Sequence, residues 1–202
     1  NYRIAKRARE VGVVVMQDVG GEDRPMGEAM MSLCDYIIPN ESELNRLCQS
    51  LGREGGVVEE DDGQEANINE VVERAKLLQE HGANNVLVTL GERGSVLVTK
   101  DADKPEVIIQ ESCRLPSHLS VVDETGAGDC FRAAFAVAFA AERRSIREAM
   151  QIASAAGALA VTRKGAVPSI PERPDVDALR RSSFGSPPLS IPRGGDERSS
   201  DQ

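Results

Sequence analysis

The chain has 202 residues, is 40% hydrophobic and carries a formal charge of -9, which is enough for one domain with its own core. That acidity, with no Trp and aromatics at 3%, excludes a general nucleic-acid binder, which needs clustered Lys and Arg or stacking rings. The longest apolar runs, 133–141 and 152–161, are too short to span a bilayer and read as core helices.

Taken in chain order, residues 2–10 read as a helix, VGVVVMQD as a buried strand, PMGEAMMSL as a short helix, DYIIP as a strand and ESELNRLCQSL as a helix. Residues 52–66 form an acidic, Gly-containing loop. Asn67 and Glu70 then offer a capping box for a helix to about Gln79, and NVLVTL is the next strand. Residues 95–122 read as short antiparallel strands, followed by an apolar helix from about Gly128 and a helix opened by Ser145-Ile146-Arg147-Glu148. Strands alternating with helices imply an α/β fold with a mainly parallel sheet and crossover connections. Residues 1–181 form the domain; from 182 to 202 the composition turns to Ser, Pro, Gly, Arg and Asp and reads as a disordered tail.

Cys34, Cys48, Cys113 and Cys130 show no CxxC spacing and read as reduced thiols, with Cys130 a buried helix cysteine. With only His81 and His118, there is no histidine metal cluster and little basis for a Ser-His-Asp hydrolase.

The segment DETGAGDCFR, Asp123 to Arg132, is where the chemistry concentrates. Gly126, Ala127 and Gly128 have little or no side chain to keep an anion from their amides. The helix that follows aims its unpaired N–H groups and dipole at the same place. Asp129 in the first turn is placed to take the proton of an attacking hydroxyl, as an aspartate does in many kinases. A Gly-rich helix start with a first-turn Asp, common in α/β proteins, is the alternative.

Together with three ordered segments, DETGAGDCF resembles the ribokinase, or PfkB, family of carbohydrate kinases. The three are PNESEL at 39–44, VTLGERG at 88–94 and VTRKGAVPS at 161–169. The resemblance runs from about residue 10 to about residue 180. It implies a three-layer ribokinase-like fold and an ATP-dependent sugar kinase, with D-ribose the leading substrate. Fructose or a nucleoside is an alternative substrate, and a catalytically silent nucleotide-binding or interaction module is an alternative of another class.

Position by position, the resemblance makes Asp129 the catalytic base and the amides of Gly126, Ala127 and Gly128 the anion hole. Thr89, Gly91 and Gly94 would contact the phosphates of ATP. Asn40 and Glu43 would hold Mg2+ through its water shell, in keeping with the few protein carboxylates that Mg2+ takes. K+ would be bound by Asp123, Thr125, Ala160, Arg163, Gly165 and Ser169.

Each position has a plainer reading. Asn40 and Glu43 suffice as a capping box for their helix, Gly91 and Gly94 as a hairpin turn, and Gly165 and Pro168 as turn punctuation after a helix. Glu124 stands where the family usually has a neutral residue. Ala153 falls where some members pack a side chain on adenine, and Asp18 falls after a strand on the same side as the motif.

The family's first strands, lid and most sugar-binding residues would precede Asn1, so the resemblance implies a C-terminal portion that is inactive alone or binds nucleotide weakly. Its partners would be a small sugar and ATP, without nucleic acid or membrane, and full-length members often form homodimers. A cytoplasmic location is the default expectation; a targeting segment would precede Asn1.

Overall fold

The structure, a computed structural model, describes residues 1–20, 25–52, 66–100 and 106–185. It contains α1 (Tyr2–Glu10), β1 (Met16–Asp18), α2 (Glu28–Met31), β2 (Tyr36–Ile38), α3 (Glu41–Gly52), α4 (Ile68–Glu80) and β3 (Asn85–Thr89). These are followed by β4 (Ser95–Val98), β5 (Val107–Gln110), α5 (Ala127–Ala136), α6 (Ile146–Ala160) and α7 (Arg173–Phe184). The strands form one sheet in the order β1-β2-β3-β4-β5.

The sheet is mixed. β1, β2 and β3 run parallel, joined by crossovers through α2 and through α3 and α4, whereas β4 and β5 add on antiparallel. The parallel half is where strands and helices alternate in sequence, and the antiparallel half is where they do not.

Alternate side chains of the strands feed two cores on opposite faces, because successive residues of a strand point to opposite sides. Ile37, Val86, Val88, Val96 and Val98 pack with Met31, Leu44, Val71 and Leu78 from α2, α3 and α4. Tyr36, Ile38, Leu87, Leu97 and Ile108 pack with Phe135, Met150, Ala153 and Leu179 from α5, α6 and α7. The result is a three-layer α/β/α sandwich. On the second face, the rings of Tyr36 and Phe135 meet edge to face at 5.4 Å, and Phe135 stacks on Phe139 at 5.7 Å.

Both capping boxes form. The Asn67 side chain accepts from the Glu70 amide at 3.1 Å, and that of Ser145 accepts from the Glu148 amide at 3.3 Å, each with the reciprocal bond in place. The α5 helix ends in a single π-helical turn, Val137–Ala141.

Four stretches differ from the sequence expectation. VGVVVMQD is not a buried strand: only Met16–Asp18 pairs, at the sheet edge, and Val11, Val13 and Val14 are exposed. It pairs with β2 at three ladder positions, and the Val15 carbonyl just before it accepts from the Asp35 and Tyr36 amides at 2.8 and 3.1 Å. Strands extend through Gln110, and residues 111–122 carry none. The α7 helix was not anticipated; it starts with Pro in its first turn, buries Val176 and Leu179, and continues through Phe184, past the expected tail boundary at 182. Residues 53–65 of the expected acidic loop and 186–202 of the expected tail lie outside the described residues. Among the described residues, no helix is long and apolar enough to cross a membrane.

Candidate active site

The parallel strands end on one side of the sheet, and that is where the polar residues gather. Asp18 closes β1, Asn40 follows β2 and bridges to Thr89 at the end of β3, and α5 begins beside them. Carboxyl ends of parallel strands meeting helix N-termini are the usual place for a ligand in such sheets. A cleft of about 740 Å³ opens there, lined by Asn40, Glu43, Thr89, Gly91, Gly94 and the Gly126–Asp129 segment, among others. The structure therefore brings together the expected base, anion hole and nucleotide-side residues.

The start of α5 is shaped by Gly126. Its φ of 83° is left-handed, and a Cβ there would meet Ala166 at 3.0 Å, so only glycine brings the two segments this close. The Ala127 amide donates to the Glu124 carbonyl at 3.1 Å, which takes it out of the expected anion hole in this conformation. Among the described residues, the amides of Gly126 and Gly128 donate to no protein acceptor. Asp129 stands at the mouth, its side chain 73% exposed. Glu124 is also exposed and lines the cleft.

Asn40 and Glu43 form the capping box of α3: the Glu43 carboxylate accepts from the Asn40 amide at 2.7 Å, and the Asn40 side-chain oxygen accepts from the Glu43 amide at 2.8 Å. Glu43 is nonetheless buried and faces the cleft, so one residue caps a helix and presents a carboxylate. Among the described residues, no group of three or more His, Cys, Asp and Glu side chains is placed to hold a metal ion. A single enclosed carboxylate facing the cleft fits a hydrated Mg2+ that brings most of its ligands with it.

Gly91 and Gly94 bracket a 3-10 turn between β3 and β4. The hairpin reading and the cleft reading coexist, because both glycines also line the cleft.

The residues expected around K+ form a second cluster behind the start of α5. Asp123 accepts from the amides of Gly165 at 2.7 Å and Thr125 at 3.0 Å. The Gly165 amide bond contributes most to pulling the Asp123 carboxyl down to about 2, with the bonds from Thr125 next. The Arg163 amide donates to the Ala160 carbonyl at 3.4 Å, and the Ser169 amide to the Gly165 carbonyl at 3.2 Å. Ser169 is buried and its hydroxyl donates to the Ala166 carbonyl at 2.8 Å. An ionised carboxylate beside a turn rich in carbonyls fits a monovalent cation.

Two features escaped the sequence reading. Ala153 is fully buried in the second core, while Ser154, Gly157, Ala158 and Val161 line the cleft. The spacing i, i+3, i+4, i+7 defines that face of α6, and position 153 lies off it. Arg132 is the other: its side chain is 14% exposed and reaches Glu43 at 3.0 Å, Asp18 at 3.3 Å and Asp129 at 3.5 Å. A lone Arg one turn after Asp129 carried no signal of three carboxylates brought from distant segments.

All four cysteines are free and buried. Burial pushes the Cys34 and Cys48 thiols up to about 11, and the Cys130 thiol is raised by burial and by Asp129, so all three are poor nucleophiles.

This fold and this cleft are those of a known class. The model of the pfkB family of carbohydrate kinases matches residues 2–173, and the chain belongs to that family. It is 40% identical over 184 residues to the ribokinase of Arabidopsis thaliana, covering 91% of this chain and 43% of that protein. It is 34% identical over 148 residues to the ribokinase of Haemophilus influenzae, covering 73% of this chain and 41% of that protein. The solved structure of Arabidopsis ribokinase complexed with ribose and ATP superimposes with a TM-score of 0.75 at 36% identity, over 89% of this chain and 51% of that one. The chain thus spans less than half the length of these curated relatives.

Proposed function

We propose that this chain is the nucleotide-binding and phosphoryl-transferring portion of an ATP-dependent sugar kinase, with D-ribose the sugar and ribose 5-phosphate the product. The observation that carries the reading is the position of Asp129 at the mouth of a cleft, beside the amides of Gly126 and Gly128 at the start of α5. Arabidopsis ribokinase, whose structure includes ribose and ATP, supports the choice of sugar.

In this reading Asp129 accepts the proton of the sugar's primary hydroxyl as that oxygen forms its bond to the γ-phosphorus, while the bond from phosphorus to the leaving ADP oxygen breaks. The amides of Gly126 and Gly128, at the positive end of α5, meet the charge on the transferring group. The Ala127 amide joins them only by releasing Glu124. Thr89, Gly91 and Gly94 hold the ATP phosphates. Mg2+ would be held through water by Asn40 and Glu43, and when bound it neutralises phosphate charge. K+ would be held by Asp123, Thr125, Ala160, Arg163, Gly165 and Ser169, next to the anion hole.

Calorimetry of ATP binding to the 202-residue chain, with Mg2+ and with K+ exchanged for Na+, tests this. Saturable binding strengthened by K+ is expected. A folded chain that binds no ATP overturns the reading. A substrate panel of ribose, fructose and nucleosides, run with the chain fused to the part of a relative's length that it does not span, tests the choice of sugar.

A further inference from the structure

Arg132 has no part in the phosphoryl transfer just described, yet its guanidinium is pinned on several sides. Nε donates to the Ile38 carbonyl at the end of β2 at 3.1 Å. Nη2 donates to Glu43 Oε2 at 3.0 Å, and Nη1 lies 3.3 Å from Asp18 Oδ1 and 3.5 Å from Asp129 Oδ1. These partners come from β1, β2, α3 and α5, so one side chain ties together the segments that build the cleft.

The exposures indicate what the guanidinium does. Glu43 has a side chain only 8% exposed, against 48% for Asp18 and 73% for Asp129. Enclosing a carboxylate as Glu43 is enclosed costs desolvation that an adjacent cation offsets. Arg132 provides that cation from within the chain, and its planar fork spans Glu43 and Asp18 together.

We propose that Arg132 is a built-in counter-cation that keeps Glu43 and Asp18 closed to a free divalent cation, so that the metal enters the cleft with nucleotide. This rests on the kinase reading only for the identity of the nucleotide. A hydrated divalent ion arriving alone meets a fixed positive charge 3.0 Å from Glu43, which lines the cleft, and 3.3 Å from Asp18 beside it, and like charges at this range repel. An ATP triphosphate adds several negative charges and reverses that balance. Arg132 is thus a positioning residue, acting through Glu43 and Asp18.

The test is Mn2+ binding followed by electron paramagnetic resonance on the 202-residue chain, with and without a non-hydrolysable ATP analogue. The parent is expected to bind Mn2+ weakly alone and far more tightly with the analogue. Arg132→Gln, which removes the charge and keeps a polar stem, is expected to bind nucleotide-free Mn2+ about tenfold or more tightly than the parent. Adding Glu43→Gln to that variant should abolish the gain, and Arg132→Lys should stay close to the parent. Equal nucleotide-free binding by Arg132→Gln and parent overturns the inference, as does a gain that survives Glu43→Gln. The parent supplies a reading that needs no variant: Mn2+ bound as tightly without the analogue as with it also overturns it. Failure of the kinase reading shows separately, as a folded parent that binds no ATP by calorimetry.

Discussion

The Asp123 carboxylate accepts the Gly165 amide at 2.7 Å across 42 positions of sequence, and this bond clamps the turn after α6 to the loop that opens α5. Its Thr125 bond, at 3.0 Å, fixes the same carboxylate from the other side. Both bonds favour the charged form and hold the carboxyl at about 2, below its ordinary 3.8. A lowered folded-state value means that the stabilisation is complete above about 3.8 and is lost as pH falls toward about 2. Urea unfolding of the parent and of Asp123→Asn should therefore differ at neutral pH and converge at the acid end of that window. A stability gap independent of pH across it would show that the clamp does not depend on the ionised carboxylate.

Gly91 and Gly94 occupy the same turn but should answer differently to alanine. At Gly94, φ is 91° and a Cβ would lie 2.0 Å from the Gln110 carbonyl oxygen and 2.8 Å from the backbone of Glu111 and Ser112. Backbone cannot retreat as a flexible side chain can, so Gly94→Ala is expected to cost about 3 kcal/mol or more. Gly91, with φ of 56° and nothing within 4 Å, pays only the left-handed conformation, about 1 kcal/mol for Gly91→Ala. Equilibrium denaturation of the two variants measures both, and equal costs would place the constraint in the turn itself.

How much of this was legible in the sequence depended on whether the cause was local. The capping boxes at Asn67 and Ser145 were readable because partner and cap lie three residues apart, and both formed. The parallel strands and their crossovers were readable from alternation with helices. The short extent of β1 was not, because an apolar run such as VGVVVMQD does not reveal which of its residues will pair. At the site, DETGAGDCFR announced its own turn and helix, and Asn40, Glu43 and Thr89 did come to the same cleft. The grip of Arg132 on Asp18 and Glu43 joins positions 114 and 89 residues away, and no local pattern encodes such a meeting. On α6 Ala153 faces the core while Ser154 next to it lines the cleft, a one-position difference that the sequence alone does not reveal.

The packing under α5 depends on Phe135, which is fully buried and touches Tyr36 edge to face and Phe139 in a stack. Phe135→Ala removes the ring between sheet and helix, and is expected to cost about 3–5 kcal/mol. Phe135→Leu keeps much of the volume and should cost less, retaining burial while losing the ring contacts. Thermal and urea unfolding should rank the variants in that order. Equal stability of Phe135→Ala and parent would mean that α5 can repack against β2 without a side chain there.

The base role proposed for Asp129 separates from any structural role because its side chain is 73% exposed and, among the described residues, its ion-pair neighbour is Arg132 at 3.5 Å. Asp129→Asn keeps the shape and removes the ability to accept a proton at that oxygen. It should leave unfolding and ATP binding within a few tenths of a kcal/mol, as exposed substitutions usually do. Phosphoryl transfer, assayed in a fusion that supplies the rest of a full-size relative's length, should fall by about 100- to 10,000-fold with the loss of general-base catalysis. The fall should appear in kcat and leave the KM for ATP near the parent value, since an interaction used only in the transition state does not contribute to ground-state binding. Glu43→Gln makes the contrast, since Glu43 also caps α3 and pairs with Arg132 and its loss should disturb stability as well as turnover. Unchanged kcat in Asp129→Asn would transfer the proton-accepting role to another group in the cleft.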